Sequence, residues 1–270
     1  MKKFAVLCMS ILLSLVVTAC GGEQGEGQAL SEDKLKIGVT AGPHEQVLEK
    51  VKEVAEEDGL EIEIVVFNEY VMPNVALAER ELDVNSFQHK PYLDQFKEDR
   101  GLDLVEIANT VNFPMGMYSD SITDVSELKD GDKVGLPNDP TNGARALILF
   151  EQAGLIKLKD GAGVGATVKD VEENELNLEF VELEAAQIPR QLDELAAAAI
   201  NTNFAVEHGL VPTEDSIFME PGDSPWVNLL AVRTENKDDP VLDKLIKAYH
   251  SDEVKQFIEE TFEGSVLASW

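Results

Sequence analysis

The chain has 270 residues, 44% hydrophobic and 27% charged. That ordinary globular balance excludes collagen-like repetition, wholesale disorder and a multi-pass membrane protein. Acidic residues outnumber basic ones 52 to 22, a formal net charge of −30, which repels phosphate backbones and so excludes nucleic-acid binding.

In chain order, the first segment reads as an address. Lys2 and Lys3 precede an uncharged, mostly apolar run from Phe4 to Ala19, followed by Cys20, Gly21 and Gly22. Basic end, apolar core and small residues at the cut are the layout of an export signal; an uncleaved anchor, marginal at this length, is the competing reading. Val17-Thr18-Ala19-Cys20 resembles a bacterial lipobox, which implies a signal peptide over 1–19 and acylation of Cys20. Cys8 then leaves with the leader, so no thiol remains for an intramolecular disulfide. Acyl chains contribute ~0.8 kcal/mol per buried CH₂, enough in combination to hold an acidic protein on a membrane. Loss of Lys2 and Lys3 takes the net charge from −30 to −32. Two readings of that charge stay open: a saline or alkaline habitat whose ions screen it, and a secreted protein kept soluble by it. Residues 20–33 are expected to be the lipidated cysteine and a flexible Gly/Glu/Gln-rich tether.

Leu35 to Val39 alternates as a short strand, and Val47, Leu48, Val51, Val54 and Ala55 recur at the spacing of one helix face that Gly59 ends. Glu45, Glu49, Glu53 and Glu57 form a like-charge stripe on the other side, read as a solvated face partly offset by Lys50 and Lys52. Ile62, Ile64 and Val66 predict a second strand, Pro73 to Leu82 a short helix and Val84 to Phe87 a third strand. Such alternation predicts an α/β fold with a parallel sheet. Val134 to Leu136 and Glu179 to Leu183 are further strands, with a helix over Arg145 to Ala153. Near the end Asp239-Pro240 and Ser251 each open an apolar-faced helix. The alanines of Leu195 to Ile200 favour helix on propensity.

Reaction chemistry is hard to assemble. His44-Glu45 begins a zinc-protease motif, but Leu48 stands where its second histidine belongs. There is no nucleophile elbow, and Gly161 to Gly165 lacks the Lys-Ser/Thr ending of a phosphate loop. What remains are aromatic and amide residues in loops after strands, where open α/β sheets bind ligands: Tyr70 after the second strand, and Phe87, His89 and Tyr92 after the third. Pro137 to Arg145 runs from a strand into a helix start, whose free N–H groups favour an anion. Arg145 either adds a fork to a carboxylate or forms a surface ion pair.

The segments Phe67-Asn68-Glu69-Tyr70-Val71-Met72-Pro73-Asn74, Asn85-Ser86-Phe87-Gln88-His89-Lys90-Pro91-Tyr92 and Pro137-Asn138-Asp139-Pro140-Thr141-Asn142 resemble the methionine-binding lipoprotein family. So do Ile200-Asn201-Thr202 and Ser224-Pro225-Trp226-Val227-Asn228, in a collinear match from about Leu35 to Trp270. The resemblance implies a two-lobed periplasmic-binding-protein-like α/β fold with a ligand cleft between lobes. It implies one lobe of 34–111 and 225–270, the other of 112–224, with crossings near Asn112 and Pro225, and a strand at Leu195 to Ile200.

It further implies that Arg145 holds the ligand carboxylate, that Asn201 and Asn228 hold the polar end, and that Tyr70, Phe87, His89, Tyr92 and Phe113 surround the side chain. Trp226 stands where a tyrosine is expected, and Asn112-Phe113 where some relatives carry another pair. The expected role is capture of L-methionine outside the cell by a monomeric, cofactor-free, non-enzymatic lipoprotein. It would hand its ligand to an ABC permease and ATPase from a membrane held through the lipid anchor. The alternatives are a binder of D-methionine or of a methionine-containing dipeptide, and, in another class, a surface adhesin.

Overall fold

The computed structural model describes residues 29–222 and 225–270. The expected signal peptide and the lipidation site Cys20 lie outside the described residues. Among those described, no helix is long and apolar enough to cross a membrane.

The chain begins β1 (Lys34–Thr40), α1 (Pro43–Glu57), β2 (Glu61–Phe67), α2 (Met72–Ala78), β3 (Val84–His89), α3 (Lys90–Arg100) and β4 (Leu104–Asn112). It continues with β5 (Gly116–Tyr118), β6 (Lys133–Pro137), α4 (Pro140–Gln152), the ribbon β7 (Lys157–Leu158) and β8 (Val171–Glu173), then β9 (Glu179–Leu183) and β10 (Ala197–Ile200). After α5 (Thr202–Glu207), α6 (Pro212–Asp215) and β11 (Phe218–Met219) come β12 (Val227–Arg233), α7 (Val241–Tyr249), α8 (Asp252–Phe262) and β13 (Leu267–Ala268).

Two sheets result. The first has the order β13-β4-β12-β3-β1-β2, the second β11-β5-β10-β6-β9. Neither is purely parallel as the strand-helix alternation predicts. β12 enters the first sheet antiparallel between β3 and β4, and β5 pairs antiparallel with β10 in the second. In each case the chain arrives from the other sheet and not through a crossover helix, so the right-handed βαβ constraint does not apply to it.

The apolar face of α1 (Val47, Leu48, Val51, Ala55) packs with Leu245, Tyr249, Val254 and Ile258 of α7 and α8 against Leu35, Ile37 and Val39 of β1. Leu77, Leu82, Leu93 and Leu229 cover the opposite face, so the central strands are buried on both sides and β3 has no exposed residue. The glutamate stripe lies on the outer side of α1, Glu49, Glu53 and Glu57 being exposed, with Lys50 2.8 Å from Glu53.

Four boundaries differ from expectation. Leu30, placed in the tether, is buried, and its N–H donates to Asp239 Oδ2 at 2.9 Å, so ordered packing begins there. α2 stops at Ala78, not Leu82, because Arg80 turns back at φ 66° and returns Leu82 to the core beside Leu77. α4 starts at Pro140, five residues earlier than read, capped by Asp139. Residues 197–200 form a strand despite their alanines. Ala198 pairs with Gly135 of β6, where a Cβ would come within 2.6 Å of Leu195 and 3.0 Å of Ala198. Only small residues fit that approach, and this packing outweighs a propensity range of ~0.7 kcal/mol per residue.

The chain crosses between sheets twice. β4 continues through Phe113 to Met115 into β5, and β11 returns through Glu220 to β12. The crossings are tied together: Asn112 Nδ2 donates to the Gly222 carbonyl at 3.0 Å, and Glu220 N–H to the Met115 carbonyl at 2.9 Å.

Candidate functional site

A pocket lies where the two sheets face each other. It is lined by His44, Tyr70, Phe87, Gln88, His89, Tyr92, Phe113, Asn142, Arg145, Asn201, Thr202, Asn203 and Asn228. All eight residues expected from sequence to bind ligand are on that wall. The first sheet brings Tyr70 from the loop after β2, Phe87 and His89 from within β3 and not after it, Tyr92 from the first turn of α3, and Asn228 from β12. The second brings Arg145 from α4 and Asn201 from the end of β10, while Phe113 sits on the first crossing.

One end is an aromatic box. The rings of Tyr70, Phe87 and Tyr92 stand 6.0 Å apart in each pairing, Phe204 lies 4.8 Å from Tyr70, and His44 and Phe113 meet at 4.4 Å. Tyr92 Oη donates to the Tyr70 carbonyl at 2.9 Å and Tyr70 Oη to Asn203 Oδ1 at 2.6 Å. The second of these bonds spans the two sheets, as does His89 Nε2 to Asn142 Oδ1 at 3.2 Å. Burial raises both tyrosine hydroxyls well above their ordinary value, so they stay neutral donors.

The rest of the lining is polar. Asn201 Nδ2 donates to Asn142 Oδ1 at 2.9 Å, leaving Asn201 Oδ1 buried without a partner, and Asn203 Nδ2, on the amide whose Oδ1 holds the Tyr70 hydroxyl, is likewise buried and unpartnered. The pocket thus presents an unmet acceptor and an unmet donor, groups that are costly to bury unless something completes them. The structure overturns the surface reading of Arg145. It is neither on the surface nor free: Nε and Nη2 form a fork with Glu220 at 2.8 and 2.6 Å, and Nη2 also donates to the Phe113 carbonyl at 2.7 Å. Both side chains are 3% exposed, and Trp226 lies 5.3 Å over the guanidinium. The expected anion site at the start of α4 is likewise taken, since Asp139 Oδ1 accepts the Asn142 N–H at 2.9 Å.

Sequence reasoning missed His44, Gln88, Asn142, Thr202 and Asn203 in the lining, and Glu220 behind it. Asn142 lay inside a recognised segment and Asn203 one residue past another. Glu220 had no local signal, because only the fold brings it to Arg145, 75 residues away in sequence.

Both pocket histidines are neutral. Burial takes His44 down to about 4, against the pull of Asn228. Burial and then the Arg145 charge take His89 down to about 3. Each lies below the ordinary 6.5, so the stability tied to the neutral ring is complete above that value and is lost as pH falls through the window beneath it. By pH ~4.5 the His89 share is about 3 kcal/mol. Chemical denaturation at pH 7 and 4.5 should therefore show His89→Gln losing about 3 kcal/mol less than wild type on acidification; equal losses would contradict a neutral buried ring.

The NlpA lipoprotein family matches residues 35–270. The chain belongs to the NlpA lipoprotein family. Within it, the D-methionine-binding lipoprotein MetQ of Escherichia coli K12 is 46% identical over 272 residues, covering 100% of this chain and 98% of that protein. A nutrient-binding protein from Burkholderia cenocepacia, solved bound to methionine, superposes with a TM-score of 0.86 at 48% identity, covering 87% of this chain and 100% of that one. An ABC transporter periplasmic substrate-binding protein from Coxiella burnetii gives 0.84 at 42% identity, covering 87% and 100%. NlpA-family membership and these neighbours give the α/β architecture its name: a two-lobed periplasmic-binding-protein-like fold with a ligand cleft between its lobes.

Proposed function

We propose that the protein is the extracytoplasmic receptor of an ABC importer, that its ligand is methionine, and that it catalyses no reaction. The observation that carries this reading is the pairing, in one pocket, of an uncharged aromatic box with an unmet acceptor and an unmet donor. An uncharged thioether side chain gains ~0.3–1.5 kcal/mol per aromatic contact in such a box. A zwitterionic head needs both hydrogen-bonding senses in the same pocket. In this reading Tyr70, Phe87, His89, Tyr92 and Phe113 surround the side chain, while Arg145, Asn201 and Asn228 hold the head. The arginine contributes its remaining nitrogen, Nη1, because Glu220 occupies the other edge. The methionine-bound Burkholderia relative supports the assignment.

The lobes are taken as 34–111 with 225–270 and as 112–224, closing about the two tied crossings. The bonds from Tyr70 to Asn203 and from His89 to Asn142 would then be closure contacts.

The reading is tested by thermal unfolding of ligand-free protein. A hundredfold excess of methionine over Kd adds ~2.7 kcal/mol, which for a domain of this size raises Tm by roughly 5–10 °C. Glutamate and lysine should leave Tm unchanged. A flat profile with both L- and D-methionine would sink the assignment, and a response to D-methionine or a methionine dipeptide alone would move it to those ligands.

Attachment through an acylated Cys20 is the second part of the proposal, resting on the lipobox-like residues and on membership of a lipoprotein family. Cys20→Ser should appear in the soluble fraction or as uncut precursor. Wild-type processing and membrane retention of that variant would refute lipid anchoring.

A further inference from the structure

We propose that Asp139 is a positioning residue that decides which end of the Asn201 amide the pocket presents, and thereby makes the site select ligands carrying an ammonium beside their carboxylate. The inference rests on the amino-acid reading above and adds the device behind its head-group selectivity.

The direction of the hydrogen bonds fixes how each amide is turned. A carboxylate only accepts, whereas an asparagine amide offers donors on one side and an acceptor on the other. Asp139 Oδ1 and Oδ2 lie 3.0 and 3.1 Å from one atom of Asn142, which must therefore be Nδ2. Asn142 Oδ1 is then turned to the pocket, where it meets His89 Nε2 at 3.2 Å and Asn201 at 2.9 Å.

An oxygen there requires donors on both sides. His89 must carry its proton on Nε2, which agrees with its Nδ1 accepting the Tyr92 N–H at 3.2 Å. Asn201 must turn Nδ2 toward Asn142, and this leaves Asn201 Oδ1 buried in the pocket wall with no donor. A ligand ammonium completes that oxygen; a carboxylate brought to it is repelled. Without an acceptor-only group at 139 both amides can turn over together and offer a nitrogen instead.

Asp139 is also the N-cap of α4, and helix capping alone is the competing explanation. Asparagine caps as well as aspartate, so Asp139→Asn keeps the cap while removing the acceptor-only constraint.

Two measurements on Asp139→Asn test the proposal. The first, nitrogen-15 NMR of the histidine rings in ligand-free protein, should show His89 as the Nε2–H tautomer in wild type and a mixture in Asp139→Asn, with Asp139→Glu returning toward wild type. The second compares L-methionine with 4-(methylthio)butanoate, the same molecule without its ammonium. The preference for methionine should fall at least about tenfold in Asp139→Asn, with the deaminated acid changing less than about threefold.

A variant with wild-type tautomer and wild-type preference, or proportional weakening of both ligands, would overturn the proposal in favour of a cap. If wild type binds neither ligand, the amino-acid reading fails and takes the selectivity with it, whereas the NMR result still decides whether Asp139 orients the network.

Discussion

Arg145→Ala is expected to lower the unfolding free energy by about 3–5 kcal/mol, far more than a surface arginine would, because it leaves Glu220 buried and charged with no partner. The guanidinium meets Glu220 through two nitrogens, and Glu220 Oε2 also accepts the Met115 N–H at 2.9 Å, so the carboxylate cannot swing out to water without breaking the crossing. Removing both charges should be milder: Arg145→Ala with Glu220→Ala is expected to recover part of the loss. Methionine binding behaves differently. A charge-assisted bond contributes ~1.5–3 kcal/mol, so both variants should bind at least about tenfold more weakly. Arg145→Lys should restore little, since an ammonium cannot serve the Glu220 fork, the Phe113 carbonyl and a ligand at once. Urea unfolding and calorimetry on the same samples separate the two effects. An Arg145→Ala variant within about 1 kcal/mol of wild type would contradict the buried pair, because even removal of an exposed pair costs up to that much.

Trp226→Ala should be nearly as damaging, at about 3–5 kcal/mol. The indole is 3% exposed, sits over the Arg145 guanidinium and meets the His89 ring edge-on at 5.1 Å. Its loss removes apolar contact and also admits water to the Arg145–Glu220 pair, weakening an attraction that depends on a dry surrounding. Trp226→Phe keeps a ring in place and should cost under about half as much. A Trp226→Ala variant that unfolds at the wild-type urea midpoint would show that the indole shields nothing.

The difference between these two residues illustrates what could be read in advance. Trp226 stood out in the sequence because it occupies the place of an expected tyrosine, and Asn228, two residues on, lies on the pocket wall. The amphipathic faces of α1, α7 and α8 were equally legible, since one helix face repeats every three or four residues and each face found a sheet. Arg145 was legible as a position and not as a partner. Its fork is claimed by Glu220 through a return crossing that no local pattern announces. β10 was misread by propensity and correctly read by resemblance, since alanine at 198 reports the tight approach of Gly135 and not a helical preference. β12 had no local alternation to mark it, being buried along nearly its whole length. The amide network was out of reach for a related reason: Asp139, Asn142 and Asn201 are ordinary turn and cap residues in sequence, and only their juxtaposition gives them a direction.

Calorimetric titration of wild-type protein, unfolded and refolded to strip any carried ligand, tests the central claim most directly. L-methionine should bind one to one and saturably. Affinity should be the same at pH 8 and pH 6, since His44 at about 4 and His89 at about 3 stay neutral across that interval. Glutamate and lysine should give no heat beyond dilution. Refolded, monodisperse protein that binds neither enantiomer of methionine, or that binds the charged amino acids equally well, would contradict the account.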